Sequence, residues 1–85
     1  VFAANPDVPV VTFPPDGAVL RRSGFGIPLK LRSGSLPITV LVNGVPMIPQ
    51  MHGRDAVLPL DALGFNRISV VDAKGHSASV EIRLD

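Results

Sequence analysis

Prolines and glycines interrupt this 85-residue chain so regularly that they constrain its fold class. Nine prolines and eight glycines are spread along the whole sequence. They leave no uninterrupted stretch of about 12 residues, which is the length that a stable helix needs. The pattern therefore disfavours helices and favours short β-strands that are joined by many turns.

The clearest pair of predicted strands lies in the last quarter of the chain, residues 64–84. From Ser77 onward apolar and polar residues alternate, which is typical of a strand with one buried face. The turn Asp72-Ala73-Lys74-Gly75 separates this strand from the one before it. We predict an antiparallel closing hairpin whose last strand directs four side chains into the core. These are Ala78, Val80, Ile82 and Leu84.

The rest of the chain divides into six further short segments with strand character. Pro9 predicts an edge position for the first of them, because proline cannot donate to a neighbouring strand. We expect residues 61–64 to form a corner with one helical turn. The predicted strands are residues 8–13, 18–21, 27–32, 38–42, 45–48 and 55–60.

Two turns are specified by their residue types. Asn43-Gly44 predicts a type I′ hairpin turn, which needs a positive φ at both central residues. In the closing hairpin we expect Asp72 to bond backbone amides of its own turn and Gly75 to adopt the left-handed conformation. A calcium loop is the weaker interpretation, because one aspartate cannot supply six or more oxygen ligands.

Turn signals recur roughly every 8–12 residues, a spacing typical of two packed antiparallel sheets. The sequence therefore predicts an all-β, immunoglobulin-like antiparallel β-sandwich of about seven short strands. We interpret residues 1–7 as a linker remnant, since Asn5-Pro6 breaks the chain before the first strand. Residues 8–85 are then a single domain, as the length requires.

Charge and composition argue against several classes of function. The net charge is +1, and no basic stripe with interleaved aromatic residues exists, so we do not expect nucleic-acid binding. The chain has no cysteine, which excludes disulfides and thiolate metal sites. No apolar run reaches the roughly 20 residues that span a bilayer.

Catalytic and metal-binding residues are not expected either. The two histidines, His52 and His76, lie in glycine-containing turns, and the nearest acids, Asp55 and Asp72, stand at no recognisable ligand spacing. No serine lies in Gly-x-Ser-x-Gly or Ser-x-x-Lys, and no cysteine nucleophile is present. We therefore predict no catalytic residue, no metal and no cofactor.

Sugar-binding β-sandwiches commonly stack pyranose rings on exposed tryptophan or tyrosine, and this chain has neither. Of its phenylalanines, Phe13 and Phe65 are interpreted as core or corner residues. Phe25, between two glycines, is the one candidate for an exposed aromatic ring, although such a residue more often anchors a loop. The binding residues are therefore left unassigned.

Four stretches of the sequence occur together in one known family. They are residues 13–20 (Phe-Pro-Pro-Asp-Gly-Ala-Val-Leu), residues 27–31, residues 41–44 (Leu-Val-Asn-Gly) and residues 64–80 with Val-Val-Asp-Ala-Lys-Gly. On these stretches the chain resembles the C-terminal domain of bifunctional, class A penicillin-binding proteins of the 1C type. That family typically carries a tryptophan where this chain has Val40, and often an aromatic residue near Val57. Both losses imply a smaller or rearranged core.

The resemblance implies a non-catalytic accessory module at the C-terminus of a peptidoglycan synthase on the periplasmic face of the bacterial inner membrane. Such a module would contact the parent's catalytic domains and reach the membrane only through the parent's anchor. It implies docking of peptidoglycan or of a periplasmic protein, such as a bacterial α2-macroglobulin. The alternative is a purely structural cap or spacer of the parent enzyme.

Overall fold

The computed structural model describes residues 8–85, and within them the protein is built from β-strands without a helix. No helix that could cross a bilayer occurs among these residues. The predicted linker at residues 1–7 lies outside them. The strands are β1 (Val10–Phe13), β2 (Val19–Leu20), β3 (Ile27–Arg32), β4 (Ile38–Val42), β5 (Val45–Met51), β6 (Asp55–Leu58), β7 (Gly64–Val71) and β8 (Ser77–Leu84).

The strands form two sheets, which confirms the predicted all-β sandwich. The smaller sheet has the order β1-β3-β6, and the larger has the order β2-β8-β7-β4-β5. Neighbouring strands pair antiparallel, except that the two-residue β2 runs parallel to β8. β1 is an edge strand, as Pro9 predicted, and β4 lies between β7 and β5.

Alternating burial along the strands builds one apolar layer between the sheets. Every second residue of β3 is buried, and β8 follows the same period from Val80 onward. A strand with this period turns one face inward and one outward, so each sheet contributes one apolar face. The buried apolar residues are Ile27, Leu29, Leu31, Ile38, Val40, Val42, Met51, Leu58, Leu60, Ile68, Val70, Val80, Ile82 and Leu84.

Some of the predicted bounds were wrong, among them the end of β6, which finishes at Leu58 and not at residue 60. β5 continues to Met51, because Met51 pairs with Ile38 of β4 and its side chain is buried in the core. Residues 61–64 contain no helical turn. The carbonyl of Ala62 instead accepts a hydrogen bond from the side-chain amide of Asn66, which fixes an extended corner before β7.

Burial also corrects the interpretation of two side chains. Of the two interpretations of Phe65, core or corner, the core is wrong: the residue directly follows the corner at residues 61–64 and is 76% exposed, because it is out of phase with the buried Ile68 and Val70 on the same strand. Val57 is 59% exposed, so a small residue at this position does not reduce the core. Val40, by contrast, is fully buried, and its size does limit the core.

The sandwich has two distinct ends. At one end, which we call the upper end, β2 and β8 finish while β3 and β7 begin. The segments 21–26 and 59–63 therefore lie at this end. At the other end the closing turn 72–76 meets the loop between β3 and β4.

The complete burial of Leu29 generates a stability prediction. Leu29→Ala should lower the free energy of unfolding by about 2–5 kcal/mol, because the neighbouring side chains cannot fill the cavity. Val45→Ala at an exposed site is the matched control and should cost less than about 1 kcal/mol. Urea denaturation measures both, and equal losses would contradict the proposed core.

Candidate functional site

The carboxylate of Asp72 organises the closing turn after β7. Its Oδ1 accepts hydrogen bonds from the backbone amides of Lys74 (2.9 Å) and His76 (2.8 Å). Its Oδ2 accepts one from the amide of Ser35 (3.2 Å) and lies 3.3 Å from the Nδ1 atom of His76. Gly75 has a φ of 88°, in the left-handed region that glycine adopts without strain. The turn is therefore built around one carboxylate.

This carboxylate also joins two parts of the chain that are distant in sequence. Ser35 belongs to the loop between β3 and β4, and its carbonyl accepts a second hydrogen bond from the amide of Ala73 (2.9 Å). Burial raises the pKa of Asp72, but hydrogen bonds from the amides of Ser35, His76 and Lys74 and from the His76 ring outweigh it. The pKa of Asp72 is therefore lower than usual.

A second polar contact supports the upper half of the large sheet. Asn43 and Gly44 have φ values of 53° and 82°, which are the positive values that a type I′ turn requires. The side chain of Asn43 donates to the Oδ1 atom of Asn66 (3.0 Å) and accepts from the amide of Arg67 (2.9 Å). The hairpin turn between β4 and β5 is therefore fixed to β7.

Asn66 is a buried amide whose role the sequence analysis did not identify. Its Nδ2 donates to the carbonyls of Ala62 (2.8 Å) and Gly64 (3.3 Å), so it joins the corner before β7 to the hairpin turn. The signal was its phase: Asn66 alternates with Ile68 and Val70, which places a polar side chain on the core face.

The described residues bring together no group of side chains that could hold a metal ion. Within residues 8–85 no group of three or more histidine or acidic side chains is close enough to hold a metal ion. His76 contacts Asp72 in the closing turn, whereas His52 is an exposed residue just after β5. His76 therefore belongs to the closing turn, and His52 lies in the connection between β5 and β6.

Exposed apolar side chains concentrate at the upper end. Of the eight large apolar side chains exposed in the described part of the chain, five belong to segments that meet there. Phe25 is the most exposed, at 91%. Its ring therefore does not anchor its loop. The five, which we call the upper apolar set, are Val19, Phe25, Val57, Leu63 and Phe65.

Two concave regions accompany this set. A groove of about 490 Å³ lies on the outer face of the large sheet, with Val19 and Phe65 on its walls. These two residues lie on either side of Arg83 on β8: Val19 of β2 pairs with it on one side, and Phe65 of β7 pairs with it on the other. A smaller cavity of about 280 Å³ lies between segments 22–26 and 59–61. The upper end thus combines exposed apolar side chains with two concave regions.

Charged groups border the groove. The Oδ1 atom of Asp16 accepts a hydrogen bond from the amide of Glu81 (2.8 Å), and the amide of Gly17 donates to the Glu81 carbonyl (2.7 Å). The Nε atom of Arg83 lies 2.9 Å from the Oδ1 atom of Asp85. The groove therefore places apolar side chains beside charged ones, with Arg83 between Val19 and Phe65.

Comparison with known families gives one match. Residues 1–82 match the family model described as the penicillin-binding protein C-terminus family. No curated protein matches the sequence significantly. No solved structure matches it significantly either.

The lowered pKa of Asp72 makes the fold sensitive to acid. A carboxylate whose pKa is lower in the folded state stabilises the fold at every pH above its ordinary pKa, which is 3.8 for this aspartate. This stabilisation is lost as the pH falls through the lower pKa of the folded state. Asp72→Asn should lower stability at pH 7, because the new amide nitrogen faces the donor of Ser35. It should also weaken the pH dependence below about pH 4.

Melting curves from pH 2 to pH 7 test this expectation, with Asp61→Asn at an exposed carboxylate as the control. A parallel pH dependence in wild type and Asp72→Asn would contradict the assigned role of Asp72.

Loss of the buried amide should be costly. Asn66→Ala leaves the carbonyl of Ala62 and the side chain of Asn43 without their partner, so the free energy of unfolding should fall by about 2–4 kcal/mol. Urea denaturation measures this loss, and the surface substitution Gln50→Ala provides the control. A loss below about 1 kcal/mol would show that water replaces these contacts.

Proposed function

Because the chain belongs to the penicillin-binding protein C-terminus family, we propose that it is the accessory module of a class A, 1C-type enzyme and docks a periplasmic partner protein. Family membership itself makes the chain the C-terminal domain of a penicillin-binding protein, a non-catalytic module of a cell-envelope protein. The parent's bifunctional activity, its anchor in the inner membrane and the docking role are parts of the proposal.

The docking role is supported by the exposure of the upper apolar set. The core between the sheets is complete without Phe25 and Phe65, since both rings are directed to solvent. Exposure of large apolar side chains is unfavourable unless another surface covers them, and their concentration at one end is typical of interaction sites. A partner that covers this end would bury two aromatic rings.

A protein partner fits this surface better than peptidoglycan does. Glycan subsites favour tryptophan or tyrosine, whose rings combine a flat apolar face with a hydrogen-bonding group, and this chain has neither. Phenylalanine and aliphatic residues beside charged groups instead match the mixed apolar and charged side chains of a protein surface. A bacterial α2-macroglobulin is the periplasmic candidate that we propose to test first.

Deletion of the domain from the parent enzyme separates docking from a structural role. Docking predicts that the shortened parent keeps its stability and synthase activity but no longer co-purifies with the α2-macroglobulin. A structural cap predicts the reverse, with lower stability or activity and no partner lost. Sedimentation with purified peptidoglycan tests the glycan alternative, which predicts co-pelleting.

A point variant makes the docking test specific to the upper end. The double variant Phe25→Ser, Phe65→Ser should fold normally, because both rings are exposed, and should reduce partner recovery at least tenfold. Val45→Ser, at an exposed site on β5, which forms the opposite edge of the large sheet from β2, is the matched control. Equal recovery by all three proteins would contradict docking at the upper end.

A further inference from the structure

The outer edge of β6 differs from the other sheet edges of the described residues. β5 contains Pro46 and Pro49, β2 has only two residues, and the pairing of β1 shifts register between Val11 and Phe13. Prolines, short length and irregular pairing are the devices that prevent an edge from pairing with another strand. β6 is as short as β1, but it lacks proline and keeps a regular register with β3.

The register shows which backbone groups of β6 face outward. The amide of Leu31 donates to the carbonyl of Arg54, so this pair is hydrogen-bonded. Hydrogen-bonded and non-hydrogen-bonded pairs alternate along an antiparallel ladder, so Asp55 and Val57 form non-hydrogen-bonded pairs with β3. Pro28, opposite Val57, agrees with this, because proline has no amide hydrogen to donate.

We propose that the β6 edge binds an extended segment of the partner protein, which adds a fourth strand to the smaller sheet. Asp55 and Val57 would supply two amides and two carbonyls to this strand, as in other peptide-binding sheet edges. This inference rests on the proposed docking function and identifies the strand edge to which a segment of the partner binds.

Side chains beside the edge supply apolar contacts for the segment. Gly26 packs directly on β6, since a Cβ atom there would lie 2.5 Å from the carbonyl oxygen of Leu58 and 2.9 Å from the Cγ1 atom of Val57. The exposed ring of Phe25 is therefore next to a residue that touches this strand. Residues 59–61 directly follow β6 and line the cavity that they share with segment 22–26, so this cavity lies at the end of the strand.

The size of the edge determines the kind of occupant. Four residues span only about 13 Å, whereas a stable interface buries roughly 800 Å² on each partner. Pairing of β6 with a second copy would therefore be too small for a stable dimer, and a single extended strand fits better. Opposite Asp55 a basic residue is favoured, and two positions further an apolar residue would meet Val57.

Peptide selection tests this inference on the 85-residue chain itself. Random 12-residue peptides displayed on phage are selected on the protein, and the selected peptides are titrated into a ¹⁵N-labelled sample. We expect the amide signals of Asp55 and Val57 to shift, and N-methylation at alternate peptide positions to weaken binding at least tenfold. Basic and apolar residues two positions apart should recur among the selected peptides.

Protein variants provide the second arm. Val57→Pro removes an amide that faces away from β3 and should weaken peptide binding at least tenfold, and Val57→Lys tests the same position if the proline variant fails to fold. Val45→Lys, on the other sheet, is the control and should bind as wild type does.

Several outcomes would overturn the edge inference, and they differ from failure of the docking function. Peptides that shift only signals around Phe65, or that tolerate N-methylation, would overturn the β6 site, as would a selection without any binding peptide. Docking itself would still stand if deletion of the domain removed the partner from the parent. If deletion left partner recovery unchanged, both proposals would fail.

Discussion

One apolar layer between a three-stranded and a five-stranded sheet holds this domain together. A chain of 85 residues buries a smaller share of its surface than larger domains do, and this one has no disulfide to supplement its core. Each fully buried side chain therefore matters, as Leu29 on one sheet and Val40 on the other illustrate. Buried and exposed residues alternate along the strands, and the buried ones form this layer. The turns and loops lie at its two ends.

Two polar contacts determine how the strands enter and leave this layer. They lie at the two ends of β7: Asn66 holds the corner and the hairpin turn near its start, and Asp72 holds the closing turn after its end. In each case one side chain satisfies several backbone groups that would otherwise lose hydrogen bonds on burial. The loops are thus fixed without a larger core, and apolar side chains remain exposed at the upper end.

The sequence predicted most of the fold because its signals were local. Alternation identified β3 and β8, and Asn43-Gly44 specified a hairpin turn, since each pattern depends only on neighbouring residues. The contact between Ser35 and Asp72 could not be predicted, because it joins residues 37 positions apart through the packing of two loops. For Phe65 the core was one of two interpretations, and it was wrong because the phase of Phe65 on β7 is opposite to that of Ile68 and Val70. Which exposed side chains share one end of the sandwich depends on which strands become neighbours, so the upper apolar set emerged only with the topology.

Site-specific photocrosslinking in the full-length parent tests the central claim, docking at the upper end, most directly. Phe25 and Phe65 are each replaced by benzoylphenylalanine, which preserves an exposed ring, and Gln50 on β5 carries the same group as the control. Docking at the upper end predicts crosslinks to a second polypeptide from Phe25 and Phe65 and none from Gln50. Crosslinks from Gln50 alone, or crosslinks from Phe25 and Phe65 only to the parent's own catalytic domains, would contradict it.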